Sequence, residues 1–136
     1  MIESRNVSIF YRNEGILGLL GRYSEMASDA EITYQPVMHK VNSATTPNDI
    51  AELVIKDDPS LVLLGVNFNA RGGLYERSEG LGALVRTLQR IDVPIVMLTT
   101  LGDGYAAEAF AYGAVGYVGN ILDYGHIVDT VRRYAR

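Results

Sequence analysis

Leu61-Val62-Leu63-Leu64 and Val93-Pro94-Ile95-Val96-Met97-Leu98 are the stretches on which the fold turns. Each is apolar at consecutive positions, so both faces of the extended chain carry side chains that must leave water. That pattern belongs to strands of a parallel sheet covered by helices on both sides, and these two are expected at its centre. Working outward, Val7-Ser8-Ile9-Phe10-Tyr11 is another short β-type run. Asn13 then opens a helical pattern with Ile16, Leu17, Leu20 and Tyr23 on one face. Ile32 to His39 reads as a second strand, and Pro36 inside it removes a ladder donor, which sends it to a sheet edge.

Thr46-Pro47-Asn48-Asp49 combines an N-cap, a proline at the first helical position and an acid three residues on, ahead of Ile50, Leu53 and Val54. Leu81, Leu84, Val85 and Leu88 mark a third helix, reached through a long unpatterned loop from Val66 to Gly80. Asp103 is placed to cap a fourth helix running to Tyr112 and stopped by Gly113. Val115 to Val118 makes a fifth strand. Asp123 caps a last helix with Ile127, Val128, Val131 and Tyr134 inward and Arg132, Arg133 and Arg136 at its C-terminal end. Five β–α units in strict alternation predict a doubly wound α/β sandwich around a parallel sheet, with function at the carboxyl ends of the strands.

Composition narrows the chemistry. The chain has 136 residues, 48% hydrophobic and 21% charged, with 12 Lys+Arg against 16 Asp+Glu and a formal net charge of −4. That suits a single domain, expected to be cytoplasmic. With no cysteine, thiolate metal sites, disulfides and cysteine nucleophiles are excluded. Apolar runs of about five residues fall far short of the ~20 that span a bilayer, so no membrane association is expected. The acidic balance and scattered cations argue against nucleic-acid binding by this segment itself. Gly15, Gly18 and Gly21 stand in a GxxGxxG spacing inside a helix pattern, unlike the GxGxxG turn of dinucleotide sites. His39 and His126 are far apart without clustered ligands and read as surface or strand-end residues.

Pro59 to Asn67, Val93 to Thr100 and Ala109 to Tyr117 resemble, in order and spacing, the receiver domain of bacterial response regulators. The last third is most similar to receivers that precede helix-turn-helix DNA-binding domains. The resemblance implies a flavodoxin-like sheet of order 2-1-3-4-5 with five helices. It also implies a phosphorylation site: an aspartate after strand three, an acidic pair after strand one that holds Mg²⁺, a hydroxyl after strand four, and a lysine and an aromatic at strand five.

This chain departs from that set. Gly65 stands at the phospho-acceptor position, Tyr11 and Arg12 at the acidic pair and Asn120 at the lysine, while Thr99 and Tyr117 match the hydroxyl and the switch aromatic. Gly65 offers no nucleophile, and a guanidinium repels the cation that the acids would bind. The expectation is a pseudo-receiver that is not an enzyme, with no cofactor and no Mg²⁺ site. Asp57 and Asp58 precede strand three at the opposite end of the sheet, and Glu14 reads as a solvated first-turn acid. Arg12 could fill the vacated metal site, point to water or admit an anionic ligand. Thr99 and Tyr117 could couple pocket to surface or serve packing alone.

The resemblance further implies contacts through helix four, strand five and helix five, near which stand Tyr105, Tyr112, Tyr117 and Tyr124. Tyrosine suits interfaces because it joins rigid area to a polar tip; some of these four belong to the core instead. A homodimer through that face is expected, with DNA reached only through an output segment beyond Arg136. In the long loop, Phe68, Arg71 and Tyr75 could dock a protein partner or cover the pocket. Two further readings stay open: a small-molecule sensor using the degenerate pocket, and a stand-alone adaptor.

Overall fold

The computed structural model describes residues 2–67, 73–76, 78–100 and 102–135. Its strands are β1 (Glu3–Tyr11), β2 (Ile32–Lys40), β3 (Leu61–Gly65), β4 (Ile95–Leu98) and β5 (Gly116–Val118). Its helices are α1 (Glu14–Met26), α2 (Pro47–Asp57), α3 (Ser78–Arg90), α4 (Ala106–Tyr112) and α5 (Tyr124–Tyr134). The strands form one parallel sheet in the order β2-β1-β3-β4-β5, the flavodoxin-like arrangement. The strand carrying Pro36 lies at its edge, where the lost N–H donor breaks no ladder on the outer side.

Alternate residues of the apolar runs explain why those runs are continuous. Val62, Leu64, Ile95 and Met97 enter one core layer with Ile50 and Val54 of α2 and Leu81, Leu84, Val85 and Leu88 of α3. Leu61, Leu63, Val96 and Leu98 enter the other with Leu20 of α1 and Ile127 and Val131 of α5. Each strand thus buries both faces against helices, and the whole of β3 and β4 is buried.

Three helix starts are fixed by local bonds. Asn13 Oδ1 accepts from Ile16 N–H at 3.0 Å and Asp123 Oδ1 from His126 N–H at 3.2 Å. Thr46 closes a capping box, its hydroxyl accepting from Asp49 N–H at 3.1 Å while Asp49 accepts from Thr46 N–H at 2.9 Å. The fourth helix is a correction. Asp103 does not cap it; Asp103–Tyr105 form a 3-10 turn, and α4 follows from Ala106 with no side-chain cap. The loop after β3 is also shorter than periodicity suggests, because Leu74–Glu76 form a 3-10 turn and α3 begins at Ser78.

His39 is more integrated than a strand-end residue. Its ring stacks on Phe10 at 4.9 Å, and its Nε2 lies 2.6 Å from Asp57 Oδ2, which also accepts from the Ser8 hydroxyl at 2.9 Å. One carboxylate at the end of α2 thereby ties β1 and β2 to that helix.

Candidate functional site

The carboxyl ends of β1, β3 and β4 open onto a cavity of about 320 Å³, lined by Tyr11, Arg12, Asn13, Ile16, Gly65, Val66, Asn67, Tyr75, Glu76, Thr99 and Thr100. The sheet places most of this lining. Residues following three parallel strands necessarily converge at one end, and the order β1-β3-β4 makes them neighbours.

Gly65 is glycine because Tyr11 occupies its space. A Cβ there would lie 2.6 Å from Tyr11 Cδ1 and 3.0 Å from the Phe10 carbonyl oxygen. The position thus lacks a nucleophile and also the room for one while the Tyr11 ring stays where it is.

Arg12 turns to Glu76 rather than to water. Its Nη2 donates to Glu76 Oε1 at 2.6 Å, with the Glu76 side chain 2% and the Arg12 side chain 39% exposed. Glu76 accepts two further bonds, from Gly73 N–H at 2.9 Å and, very short, from Asn67 N–H. Both carboxylate oxygens therefore have donors, which removes the cost of burying an unpaired charge. Tyr75, 1% exposed, donates its hydroxyl to the Gly65 carbonyl at 2.8 Å and fastens the 3-10 turn beneath the site. Of the two roles open to it, its burial removes partner docking, and it stands in the cavity lining. Phe68 and Arg71 lie outside the described residues.

The remaining site residues separate. Thr99 is buried, lines the cavity and donates its N–H to the Val118 carbonyl at 3.0 Å. Asn120 is outside the lining: it is exposed, and its Oδ1 accepts from Leu122 N–H at 3.1 Å in the turn after β5. Tyr117 is buried and donates its hydroxyl to the Gly102 carbonyl, so it is a core residue rather than a contact residue. Tyr105 and Tyr112 are half-buried against the α2–α3–α4 core layer. Tyr124 is exposed but tilts against Tyr23 of α1, with ring centroids 5.9 Å apart, and so belongs to the α1–α5 side. Glu14 is solvated, 4.0 Å from Lys40.

The arrangement does not fit Mg²⁺. That ion takes oxygen ligands in near-octahedral order, and among the described residues the buried carboxylate in this lining, Glu76, is committed to a guanidinium and two backbone N–H groups. Among the described residues no three His, Asp or Glu side chains gather as a metal site, and no helix is long and apolar enough to cross a membrane.

Burial pushes the hydroxyls of Tyr11, Tyr75 and Tyr117 above their ordinary value of 10.0, with the charge of Glu76 adding to the first two and that of Asp103 to the third. The folded protein thus holds these protons more tightly than the unfolded chain. The stability they contribute is complete below the unfolded value, near pH 10, and is lost as pH rises toward the raised folded values. Urea midpoints measured against pH are expected to fall above about pH 10, and to fall less steeply in Tyr75→Phe.

No family model matches the chain. It is 34% identical over 84 residues to a tRNA-2-methylthio-N(6)-dimethylallyladenosine synthase of Bacillus pumilus, a match covering 58% of this chain and 16% of that enzyme. The same enzyme of Oceanobacillus iheyensis is 34% identical over 101 residues, covering 68% and 18%. The chain therefore spans less than a fifth of the length of these relatives. Solved structures match over nearly the whole chain. A LuxR-family DNA-binding response regulator from Staphylococcus aureus has a TM-score of 0.65 at 16% identity, covering 97% of this chain and 99% of its own. The chemotaxis protein CheY4 of Vibrio cholerae gives 0.63 at 18%, covering 98% and 99%. The non-phosphorylated HemR receiver domain of Leptospira biflexa gives 0.60 at 16%, covering 97% of each chain. At such identities the likeness shows the fold, and the fold is that of receiver domains.

Proposed function

We propose that this domain is a regulatory module of receiver type that signals without aspartyl phosphorylation, through protein contacts. In this reading it forms a homodimer through the α4–β5–α5 face and governs a DNA-binding output segment beyond Arg136. The observation that carries it is the crowding at Gly65 and the pairing of Arg12. Tyr11 takes the room a side chain at Gly65 would need, and Arg12, which aligns with the acidic pair of the family the sequence resembles, is paired with Glu76. With nothing there to receive a phosphoryl group, control passes to whatever the surface binds.

Incubation with a small phosphodonor and Mg²⁺ is expected to leave the intact mass of the protein unchanged. Gly65→Asp is expected to remain unlabelled as well, because Arg12 still repels the cation. That variant also displaces the Tyr11 ring, at a cost of about 1–3 kcal/mol by analogy with overpacked cores. Acyl-phosphate labelling of either protein would overturn the reading.

The contact face is tested at Phe110, which is 51% exposed on α4 and accompanied by exposed Val115 and Leu122 on either side of β5. It is a better probe than Tyr112, whose substitution would also disturb the core layer it packs on. Phe110→Arg is expected to convert a dimer to a monomer in light scattering without lowering the melting temperature of the monomer fold. An unchanged mass would move the contact elsewhere.

The cavity at the strand ends supports a second reading, a small-molecule sensor, since its about 320 Å³ lies at the lower end of the size range of ligand sites. A rise in melting temperature with a bound small molecule would favour it; self-association without one favours the first.

A further inference from the structure

The donors that hold Glu76 form a carboxylate site in their own right. Oε1 accepts from Arg12 Nη2 and Gly73 N–H, and Oε2 from Asn67 N–H, so three donors converge on one two-oxygen group. Glu76 does not set the backbone positions from which these donors come. Arg12 follows β1 and Asn67 follows β3. Gly73 leads into a turn fastened by Leu74 N–H to the Ser43 carbonyl at 3.2 Å and by the Tyr75 hydroxyl to the Gly65 carbonyl at 2.8 Å. Gly73 must also be glycine, since a Cβ would fall 2.7 Å from Arg12 Nη2 and 2.9 Å from Ser43 Cα. If the Glu76 side chain swings out, the two backbone N–H donors stay, and the half-exposed Arg12 guanidinium is left to meet an incoming acid.

The tethered carboxylate also uses this cradle incompletely. Arg12 Nε is buried and has no hydrogen-bond partner among the described residues. A carboxylate meeting guanidinium side-on takes Nε and Nη2 together in two parallel bonds, whereas Glu76 reaches only Nη2. A free acid, not bound to the turn, could take both after a small shift of the side chain. Beside the cradle lies the cavity of about 320 Å³, with Tyr11, Ile16 and Val66 among its walls and Thr99 and Thr100 at its β4 side. Charge selects the head group. Among the described residues the site holds one cation and one anion, so exchanging one monocarboxylate for another conserves their balance, while a phosphate dianion would bring a second negative charge.

We infer that this pocket binds a small apolar monocarboxylate, of the size of benzoate, whose carboxylate displaces Glu76 from the cradle while its body fills the adjoining cavity. In the unliganded protein Glu76 acts as a tethered competitor at high effective concentration, and the ligand's affinity is lowered accordingly. The inference goes beyond the contact-based reading and does not require it, because binding is measured in the domain whether or not it dimerises.

The test uses the full chain, with benzoate, acetate and inorganic phosphate as probes at matched ionic strength, followed by backbone amide shifts and melting temperature. Glu76→Ala, lacking the competitor, is expected to bind benzoate at least about tenfold tighter than the unsubstituted protein, with shifts at the Asn67 and Gly73 amides. Acetate, with no body to fill the cavity, should bind about tenfold more weakly than benzoate, and phosphate more weakly still. Adding Arg12→Ala should abolish the response. A folded Glu76→Ala protein without benzoate-dependent shifts at those two amides would overturn the proposal. So would phosphate binding as tightly as benzoate, or an undiminished response in the double variant. If Glu76→Ala does not fold, Glu76→Ser, whose side chain is too short to reach Arg12, decides by the same criteria.

Discussion

Tyr75→Ala is expected to lower unfolding stability by about 3–5 kcal/mol, the range for truncating a large aromatic in a packed core. Tyr75 is almost fully buried in the layer between the sheet and α2–α3, among Phe10, Leu64 and Leu81. Truncation leaves a void there and also frees the Gly65 carbonyl. Tyr75→Phe separates the two contributions. It keeps the ring and loses one buried hydrogen bond, so about 1 kcal/mol is expected. Denaturant midpoints of the two variants at fixed m-value read the difference directly. A loss in Tyr75→Ala no larger than in Tyr75→Phe would mean that the turn does not pack on the sheet as described. The consequence extends to the site, because the same turn carries Gly73 and Glu76 to Arg12.

The second large effect is an asymmetry within the Arg12–Glu76 pair. Arg12→Ala strands a carboxylate whose side chain is only 2% exposed, and breaking a buried pair from one side costs about 3–5 kcal/mol. The two backbone N–H donors remain, so the lower end of that range is expected. Glu76→Ala strands instead a guanidinium that is 39% exposed and can turn further into water. What it loses chiefly is the acceptor for two amides, and about 2 kcal/mol is expected. The double variant should fall short of the sum of the two, with a coupling on the order of 1–3 kcal/mol. Equal single losses that add in the double variant would show that the pair carries no energy of its own.

Both effects come from residues that the sequence shows unevenly. The apolar run at Leu61–Leu64 and the proline in β2 are local signals, and they were enough to read a parallel sheet with β2 at its edge. Thr46, Asn13 and Asp123 announced three helix starts because a cap involves only residues three apart. Asp103 misled for the same reason. A side chain able to cap is visible in sequence, but the 3-10 turn that takes its place depends on how the chain leaves β4.

At the site, Gly65 and Arg12 were legible as differences from the pattern of the family the sequence resembles, whereas the partner of Arg12 was not. Glu76 lies 64 positions away in a loop without periodicity, and nothing local marks it as buried. The available signal was electrostatic: a cation at a buried strand end needs a counter-charge, and the loop from Val66 to Gly80 holds only Glu76 and Glu79 as acids. Asn120 shows the converse. Its position in the pattern put it at the pocket, but its side chain is taken by the turn that follows.

The sequence by itself determined the architecture of this protein, because continuous apolar runs, helical stripes, caps and breakers act over a few residues and each points to the same succession of strands and helices. Only the tertiary structure decided what stands at the strand ends. There Tyr11 at the end of β1 meets Tyr75 and Glu76, which the 3-10 turn after β3 brings back over the strand ends. A buried charge can take only the partners that the packed chain delivers to it.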